Sequence, residues 1–402
     1  MKGHLPWIHL GAAVLLGSGI TAGTFSPAGD ASAAIVASVS DQDYSFRTSG
    51  GLTLDAKLTL PSRGRGPFPV VVFIGGSGPW DVDYRSAVPD ATGAGTHSVS
   101  ILPIERLAQQ CAANGMAFIR YGKRGVDRGG AENAAWGTSQ LHNLMADAQQ
   151  LLDKVKADRR LDGDRLALVG HSEGTAIATW LAGHDPQVKA FAFMGLMRRN
   201  LKDIITYQIV DSRIDRIFDL FDNAPRDGYL EANEIHAAIA KGAHFPDWQQ
   251  ADTDHDGRLS KSELDAYIGL TQGLRKWFSE LAAARPDQSV TQKNGVRDMP
   301  AGWWEEHFAH PTVGEAWKTI TTPVLVLQGK LDTNTPYETE AIPFEAQLTA
   351  QHHPDHTVVG YAGLTHEFTD VRGKSSAETV FQTLVPWLRS RLNVNRSGNS
   401  PD

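Results

Sequence analysis

Apolar residues along this chain follow two rhythms, and their alternation carries the fold. Phe68 to Ile74, Leu166 to Val169, Val188 to Met194 and Pro323 to Leu327 are short unbroken apolar runs, the pattern of strands buried on both faces of a sheet. Met116 to Tyr121 and His356 to Val359 add two more strands. Between the strands, Leu102 to Ala113, Leu141 to Val155, Thr339 to Ala350 and Ala377 to Leu392 repeat apolar positions at helical spacing. This alternation predicts an α/β architecture: a mainly parallel sheet covered by helices on both faces, with reactive loops at the carboxyl ends of the strands. Near the start, Tyr44 to Arg47 and the alternating Leu52 to Leu60 flank Ser49-Gly50-Gly51, which predicts an antiparallel hairpin at one edge. Trp80 to Ser100 has no periodicity and reads as a loop rich in Gly, Ser and Asp. After Met197 the alternation stops, and residues 198–310 are mostly helical and charged, so an insertion divides a core of residues 44–197 and 311–393.

Composition changes this picture only at the margins. With 41% hydrophobic and 21% charged residues, a chain of 402 can bury a large core. A net charge of -8, from 46 acidic and 38 basic residues without a long Lys/Arg run, gives nucleic-acid binding no footing. In residues 1–33, Lys2 precedes an apolar stretch from Leu5 to Ile20 and small residues end at Ala31-Ser32-Ala33, a pattern that resembles a secretory signal peptide. The expectation is export, to the periplasm or beyond. Gly11, Gly17 and Gly19 interrupt the stretch, which falls short of the roughly 20 apolar residues of a membrane span, so no stable membrane insertion is expected after cleavage. The single Cys111 lies in an Ala-rich helical pattern and reads as a small buried hydrophobe. No oligomeric state is legible.

The apolar run before Gly170-His-Ser-Glu-Gly174 and the helix-forming sequence after it give the pentapeptide a strand–turn–helix context. That context makes Ser172 a candidate nucleophile on a sharp G-x-S-x-G elbow, with Gly170 and Gly174 supplying clearance. Asp332 and His366 follow, each just past a predicted strand, in the chain order Ser, Asp, His. A serine hydroxyl is a poor nucleophile at neutral pH, so Ser172 needs His366 as general base and Asp332 to orient the imidazole. The oxyanion donors are expected to be the backbone N–H of Glu173 and one in the Gly75 to Gly78 loop, with Gly76 the choice and Ser77 its competitor. The Glu173 side chain reads as a substrate contact or a loop brace, Tyr121 and Arg124 as loop braces. Trp80, Trp303 and Trp304 read as packing or as the lining of a pocket.

Ile74-Gly-Gly-Ser-Gly-Pro79, Arg120-Tyr-Gly-Lys-Arg-Gly125, Gly170-His-Ser-Glu-Gly174, Gly329-Lys-Leu-Asp332 and Gly363-Leu-Thr-His366 together resemble the bacterial α/β-hydrolase superfamily. The likeness is to its serine esterase branch, related to dienelactone-hydrolase-like proteins. Gly122, where similar proteins often have Asp, and Thr175, where a further Gly is common, depart from the pattern. The resemblance implies carboxylic ester hydrolysis through an acyl-enzyme, without an organic cofactor, and an insertion that forms a cap over the active site.

A second chemistry lies inside the insertion. Asp252-Thr-Asp-His-Asp-Gly-Arg-Leu-Ser-Lys-Ser-Glu263 fits the EF-hand loop D-x-[DN]-x-[DN]-G-x5-E at every specified position. Calcium takes six to eight oxygen ligands, and Asp252, Asp254, Asp256, the Arg258 carbonyl, Ser260 and a bidentate Glu263 supply that set. Leu259 is placed for the short pairing between two such loops, and Leu264 to Phe278 reads as the exiting helix. Upstream, residues 222–234 look like a partner loop with one extra residue. There Asp227, the Tyr229 carbonyl, Glu231 and Glu234 are usable ligands, and Asp222 joins them only if the loop bulges. The pair covers about 215–280, and the expected Ca²⁺ is structural. Three functional readings follow: an esterase acting on a small-molecule ester, an acyl-aminoacyl or oligopeptidase-like peptidase, and a calcium-binding protein on a non-catalytic hydrolase scaffold.

Overall fold

The computed structural model describes residues 41–89, 96–223, 225–240, 248–290 and 299–394. The leader at 1–33 lies outside the described residues. The chain enters through β1 (Asp41–Asp43), a small hairpin of β2 (Phe46–Arg47) and β3 (Thr53–Leu54), and β4 (Ala56–Thr59). Next come β5 (Phe68–Ile74), β6 (Arg85–Pro89), β7 (Thr96–Ser100), α1 (Ile104–Ala113) and β8 (Ala117–Tyr121). Then α2 (Leu141–Ala157), β9 (Leu161–His171), α3 (Glu173–His184) and β10 (Val188–Met194) complete the first half of the alternating pattern. Among the described residues, eight strands form the central sheet in the order β1-β4-β8-β5-β9-β10 and then two strands from the C-terminal part of the chain. All pairs from β8 onward are parallel, while β1–β4 and β4–β8 are antiparallel. The expected hairpin exists but forms its own two-stranded sheet, and the edge of the main sheet is β1. The expected loop at 80–100 contains the antiparallel pair β6–β7, whose polar sequence hides the strand signal because β7 is largely exposed.

After β10, α4 (Leu201–Thr206), α5 (Ser212–Phe221), β11 (Leu230–Glu231), α6 (Ala232–Ala240), β12 (Arg258–Leu259), α7 (Lys261–Ile268) and α8 (Leu270–Ala283) interrupt the alternation. Lys202–Ala284 is a compact unit of its own, whereas Arg285–Ser289 and the chain from Met299 belong with the sheet. In the inserted unit, Leu230 pairs with Leu259 between two helix–loop–helix segments, over a core of Ile214, Phe218, Ile235, Trp248 and Leu264. The helix expected over 264–278 is two helices, because Gly269 takes a left-handed φ of 77° that ends α7. The C-terminal part supplies α9 (Ala301–Ala309), α10 (Val313–Ala316), β13 (Val324–Gly329), α11 (Ala341–Ala350), β14 (His356–Tyr361) and α12 (Ala377–Arg391). Strands β13 and β14 close the sheet beyond β10.

Both sheet faces are buried, as the unbroken apolar runs require. One face packs Val71, Val169, Ala192 and Leu327 against α1 and α12, with Cys111 fully buried among them. On the other face Phe191 and Phe193 pack edge-on to Trp317, which in turn meets Phe344 of α11. Among the described residues no helix is long and apolar enough to cross a membrane.

Strands β5 and β9 are neighbours, with Ile74 opposite Gly170, so the loops that follow them leave the sheet side by side. The approach is very close: a Cβ on Gly174 would sit 2.1 Å from the Ile74 carbonyl oxygen, and one on Gly170 2.5 Å from the Gly174 oxygen. Only glycine fits at these two positions. Gly174→Ala should therefore destabilise the fold by about 1–3 kcal/mol or more, as overpacking against backbone does. Urea unfolding checks this, and an unchanged midpoint would mean that the turn can relax away from β5.

Candidate active site

Ser172 is the N-cap of α3 and adopts φ 54° and ψ -120°, a conformation a residue with a side chain holds only when its surroundings impose it. Its flanks are buried while Ser172 itself is partly exposed, so the turn raises the hydroxyl above the sheet. Thr175, the departure from the glycine common at this point, donates its hydroxyl to the Ser172 carbonyl at 2.7 Å and accepts the Met197 N–H. It braces the turn from the side of β10.

Asp332 follows β13 and His366 lies in the turn after β14, and the structure brings the two together. His366 Nδ1 stands 2.7 Å from Asp332 Oδ2. The carboxylate is held by five donors: His366, the Asn334 and Thr335 N–H groups at 2.8 Å each, the Thr335 hydroxyl at 3.0 Å and Gln328 Nε2 at 2.9 Å. Gln328 also accepts the Leu196 N–H, tying this loop to the one after β10. With its Nδ1 facing a carboxylate, His366 keeps Nε2 as the nitrogen for proton transfer. Burial lowers the imidazole pKa, but the charge and hydrogen bond of Asp332, with Glu367 beyond, outweigh it and set the value above the ordinary 6.5. Among the described residues no hydrogen bond joins Ser172 Oγ to His366.

Of the two oxyanion donors expected in the loop after β5, Gly76 is already committed. Its N–H donates to the Tyr84 hydroxyl at 2.8 Å. Gly76 lies directly against Ser172, since a Cβ there would be 2.9 Å from Ser172 Cβ, and the next N–H belongs to Ser77. The Glu173 N–H opens α3 and has no acceptor within the helix, which suits it to a developing negative charge.

The Glu173 side chain is a brace. It is buried against Lys123, takes the Trp303 indole N–H at 2.5 Å, and has His307 Nε2 at 3.1 Å, within ion-pair range but outside hydrogen-bond alignment. Burial alone raises its pKa; Lys123, with help from His307, reverses this and holds the carboxyl at about 2. Trp303 thus packs α9 onto the elbow, Trp80 donates to the Ser77 carbonyl at 2.7 Å, and Trp304 is buried in the core. Arg124 pairs with buried Asp147, a loop brace as expected. Sequence patterns gave no reading of Lys123, Tyr84 or His171 as parts of this site. His171, inside the elbow pentapeptide, and Lys123, inside the Arg120 to Gly125 motif, carried signals that could have found them, whereas Tyr84 carried none.

In the inserted unit, Asp252 accepts the Asp256 and Gly257 N–H groups at 3.1 and 2.9 Å. Glu263 accepts those of Thr253 and Ser260 at 2.8 and 3.0 Å. One carboxylate oxygen from each of Asp252, Asp254 and Asp256 lies within 4.8 Å of the other two. Hydrogen bonds from Ser260 and then Thr253 hold Glu263 at about 2. The first loop repeats this plan. Asp222 accepts the Asp227 and Gly228 N–H groups, and Glu234 those of Asn223 and Glu231. Asp222 therefore occupies the place of Asp252, and the extra residue is absorbed between it and Gly228. The Tyr229 ring lies under the Arg258 guanidinium, 4.2 Å from its centroid.

Residues 86–210 match the family described as serine aminopeptidase, S33. That span holds Ser172 but neither Asp332 nor His366. Among solved structures, a lipase in open form is 17% identical, with TM-score 0.51 over 88% of this chain and 100% of that one. The ferulic acid complex of Est1E from Butyrivibrio proteoclasticus is 13% identical, with TM-score 0.50 over 87% and 99%. The fold is that of the α/β-hydrolases. An acylaminoacyl peptidase from Pyrococcus horikoshii, 12% identical with TM-score 0.50, shares this α/β-hydrolase fold over 90% of the present chain, which spans only 43% of that protein. No curated protein sequence matches.

The charges at this site set its dependence on pH. Because only neutral His366 accepts a proton, activity should fall as pH drops through a value above 6.5. Asp332→Asn should cost about 10⁴-fold in kcat and move that limb to lower pH, since burial is then opposed only by Glu367; a pH–rate profile in which the limb stays put would disprove the assignment. For Glu173 the folded value of about 2 lies below the ordinary 4.5, so its contribution to stability is full above pH 4.5 and lost between there and 2. Glu173→Gln, which strands Lys123, should lower stability at neutral pH by about 3–5 kcal/mol. In denaturant titrations the gap from the parent protein should narrow below pH 4.5.

Proposed function

We infer that this protein is a serine hydrolase that cleaves carboxylic esters of small molecules through an acyl-enzyme intermediate. One observation carries the reading: the 2.7 Å Asp332–His366 pair stands at the carboxyl edge of the same sheet whose strand β9 leads directly into the strained Ser172. Ser172 Oγ attacks the ester carbonyl as His366 Nε2 takes its proton, and Asp332 stabilises the imidazolium. The tetrahedral oxyanion is held by the N–H groups of Glu173 and Ser77. His366 then protonates the departing alcohol, and water, activated by the same base, releases the acid. This cycle calls for no organic cofactor. Export, as the leader at 1–33 suggests, would set it in the periplasm or outside the cell.

The match of residues 86–210 to the serine aminopeptidase family favours a second reading, hydrolysis of peptides. Against it, Glu173, the acid next to the nucleophile, is already paired with Lys123 and is not free to hold a substrate amine.

For the inserted unit we propose a structural Ca²⁺ ion in the loop 252–263. The donors are all oxygens, three of them carboxylates already gathered within 4.8 Å, which suits a hard cation. Asp252, Asp254, Asp256, the Arg258 carbonyl, Ser260 and Glu263 would hold it. In the first loop Asp222, Asp227, the Tyr229 carbonyl, Glu231 and Glu234 are the corresponding groups. Bound in loop 252–263, an ion would supply the positive charge that its gathered carboxylates lack.

Turnover of p-nitrophenyl acetate and butyrate, set beside peptide p-nitroanilides, separates the two enzyme readings. Ser172→Ala should cut ester turnover by about 10⁴-fold or more and abolish fluorophosphonate labelling; retained activity would sink the assignment. For calcium, chelation should lower the melting temperature by several degrees and added Ca²⁺ should restore it, while Glu263→Gln should remove that response. Identical melting curves with chelator and with millimolar Ca²⁺ would rule the ion out.

A further inference from the structure

A hydrogen-bonded chain runs behind Ser172 from the loop after β5 to the loop that carries His366. Gly76 N–H donates to Tyr84 Oη at 2.8 Å, Tyr84 Oη lies 2.7 Å from His171 Nδ1, and His171 Nε2 lies 3.3 Å from the His366 carbonyl oxygen. Each proton in it can be assigned. The His366 carbonyl can only accept, so His171 Nε2 carries the hydrogen, Nδ1 is left with a lone pair, and the Tyr84 hydroxyl must donate to it. That leaves a Tyr84 lone pair for the Gly76 N–H. Burial, with His366 beside it, holds the His171 pKa well below 6.5, so the ring is neutral as this pattern requires.

Two consequences meet at the nucleophile. The peptide unit before Gly76 is pinned through its N–H by Tyr84, and the unit after Ser77 is pinned through its carbonyl by Trp80 Nε1 at 2.7 Å. Between them is the peptide that carries the Ser77 N–H, so its direction is fixed by its neighbours. At the other end, His171 grips the backbone of His366 itself, with the two rings 4.9 Å apart between centroids. Tyr84 is buried and packed edge-on against Phe73 of β5 and His171, so the hydroxyl has little freedom to move.

We propose that Tyr84 and His171 are positioning residues that lock the Ser77 oxyanion donor and the general base His366 into one rigid frame on either side of Ser172. This rests on the serine hydrolase reading but not on the ester as substrate. Neither residue touches substrate; both act through the backbone they hold.

The test compares Tyr84→Phe, His171→Leu and His171→Gln in the full chain. Misplacing a donor by about an ångström costs up to about 10²-fold, so Tyr84→Phe and His171→Leu should lose about tenfold to a hundredfold in kcat with KM within about twofold. Phosphonylation of Ser172 by a fluorophosphonate should slow by a similar factor. His171→Gln can accept from Tyr84 and donate to the His366 carbonyl, and should recover most of the loss. Equal kcat and labelling rate in folded Tyr84→Phe and the parent protein, or a Gln variant no better than Leu, would overturn the frame. Failure of the ester reading looks different: the parent protein then labels with fluorophosphonate but turns over no ester, and the labelling rates of the variants still decide the proposal.

Discussion

A serine with φ 54° is held against its own preference, and what holds it is the contact between the elbow and strand β5. Gly174 abuts the Ile74 carbonyl so closely that no side chain fits, and β5 and β9 are bound in parallel register up to that point. Register, glycine spacing and strain form one constraint. It brings the loop after β5 beside Ser172, at the start of α3. The other loops of the site are arranged around this fixed turn, with Thr175 securing it from the side of β10.

Two buried charge systems flank the turn, and they do different work. Asp332 and His366 form a pair in which the histidine stays titratable, and its raised pKa couples the site to pH. Glu173 and Lys123 form a pair in which the carboxyl is held at about 2, so it stays ionised at any pH at which the protein would work. The first suits proton transfer and the second suits anchoring. Between them His171 is kept neutral, which avoids a second positive charge 4.9 Å from the ring of His366.

The inserted unit has its own internal logic. Its two loops are built alike, with an aspartate capping the N–H groups around a glycine and a glutamate reaching back to the start of the loop, and they meet through Leu230 and Leu259. Gly228 and Gly257 both take a left-handed φ, 86° and 85°, at corresponding points. A unit with its own core and paired loops can be carried by an α/β-hydrolase fold without disturbing the order of the central sheet.

Much of this was legible in the sequence because it is written locally. Unbroken apolar runs and helical spacing determined the alternating architecture, the elbow pentapeptide located Ser172, and Asp332 and His366 could be chosen as the residues just past predicted strands. The twelve-residue acidic motif at 252–263 was equally local. Features whose partners lie far along the chain were not legible. Which N–H of the Gly75 to Gly78 loop stays available depends on Tyr84, whose hydroxyl meets His171 across 87 positions. Whether Glu173 meets substrate or braces the elbow depends on Lys123 and Trp303, 50 and 130 positions away. Asp222 takes up its role only once the loop has absorbed an extra residue. Periodicity fixes which face of an element is buried, but a hydrogen bond is decided by loop register to within one residue, and only the packed tertiary structure determines that.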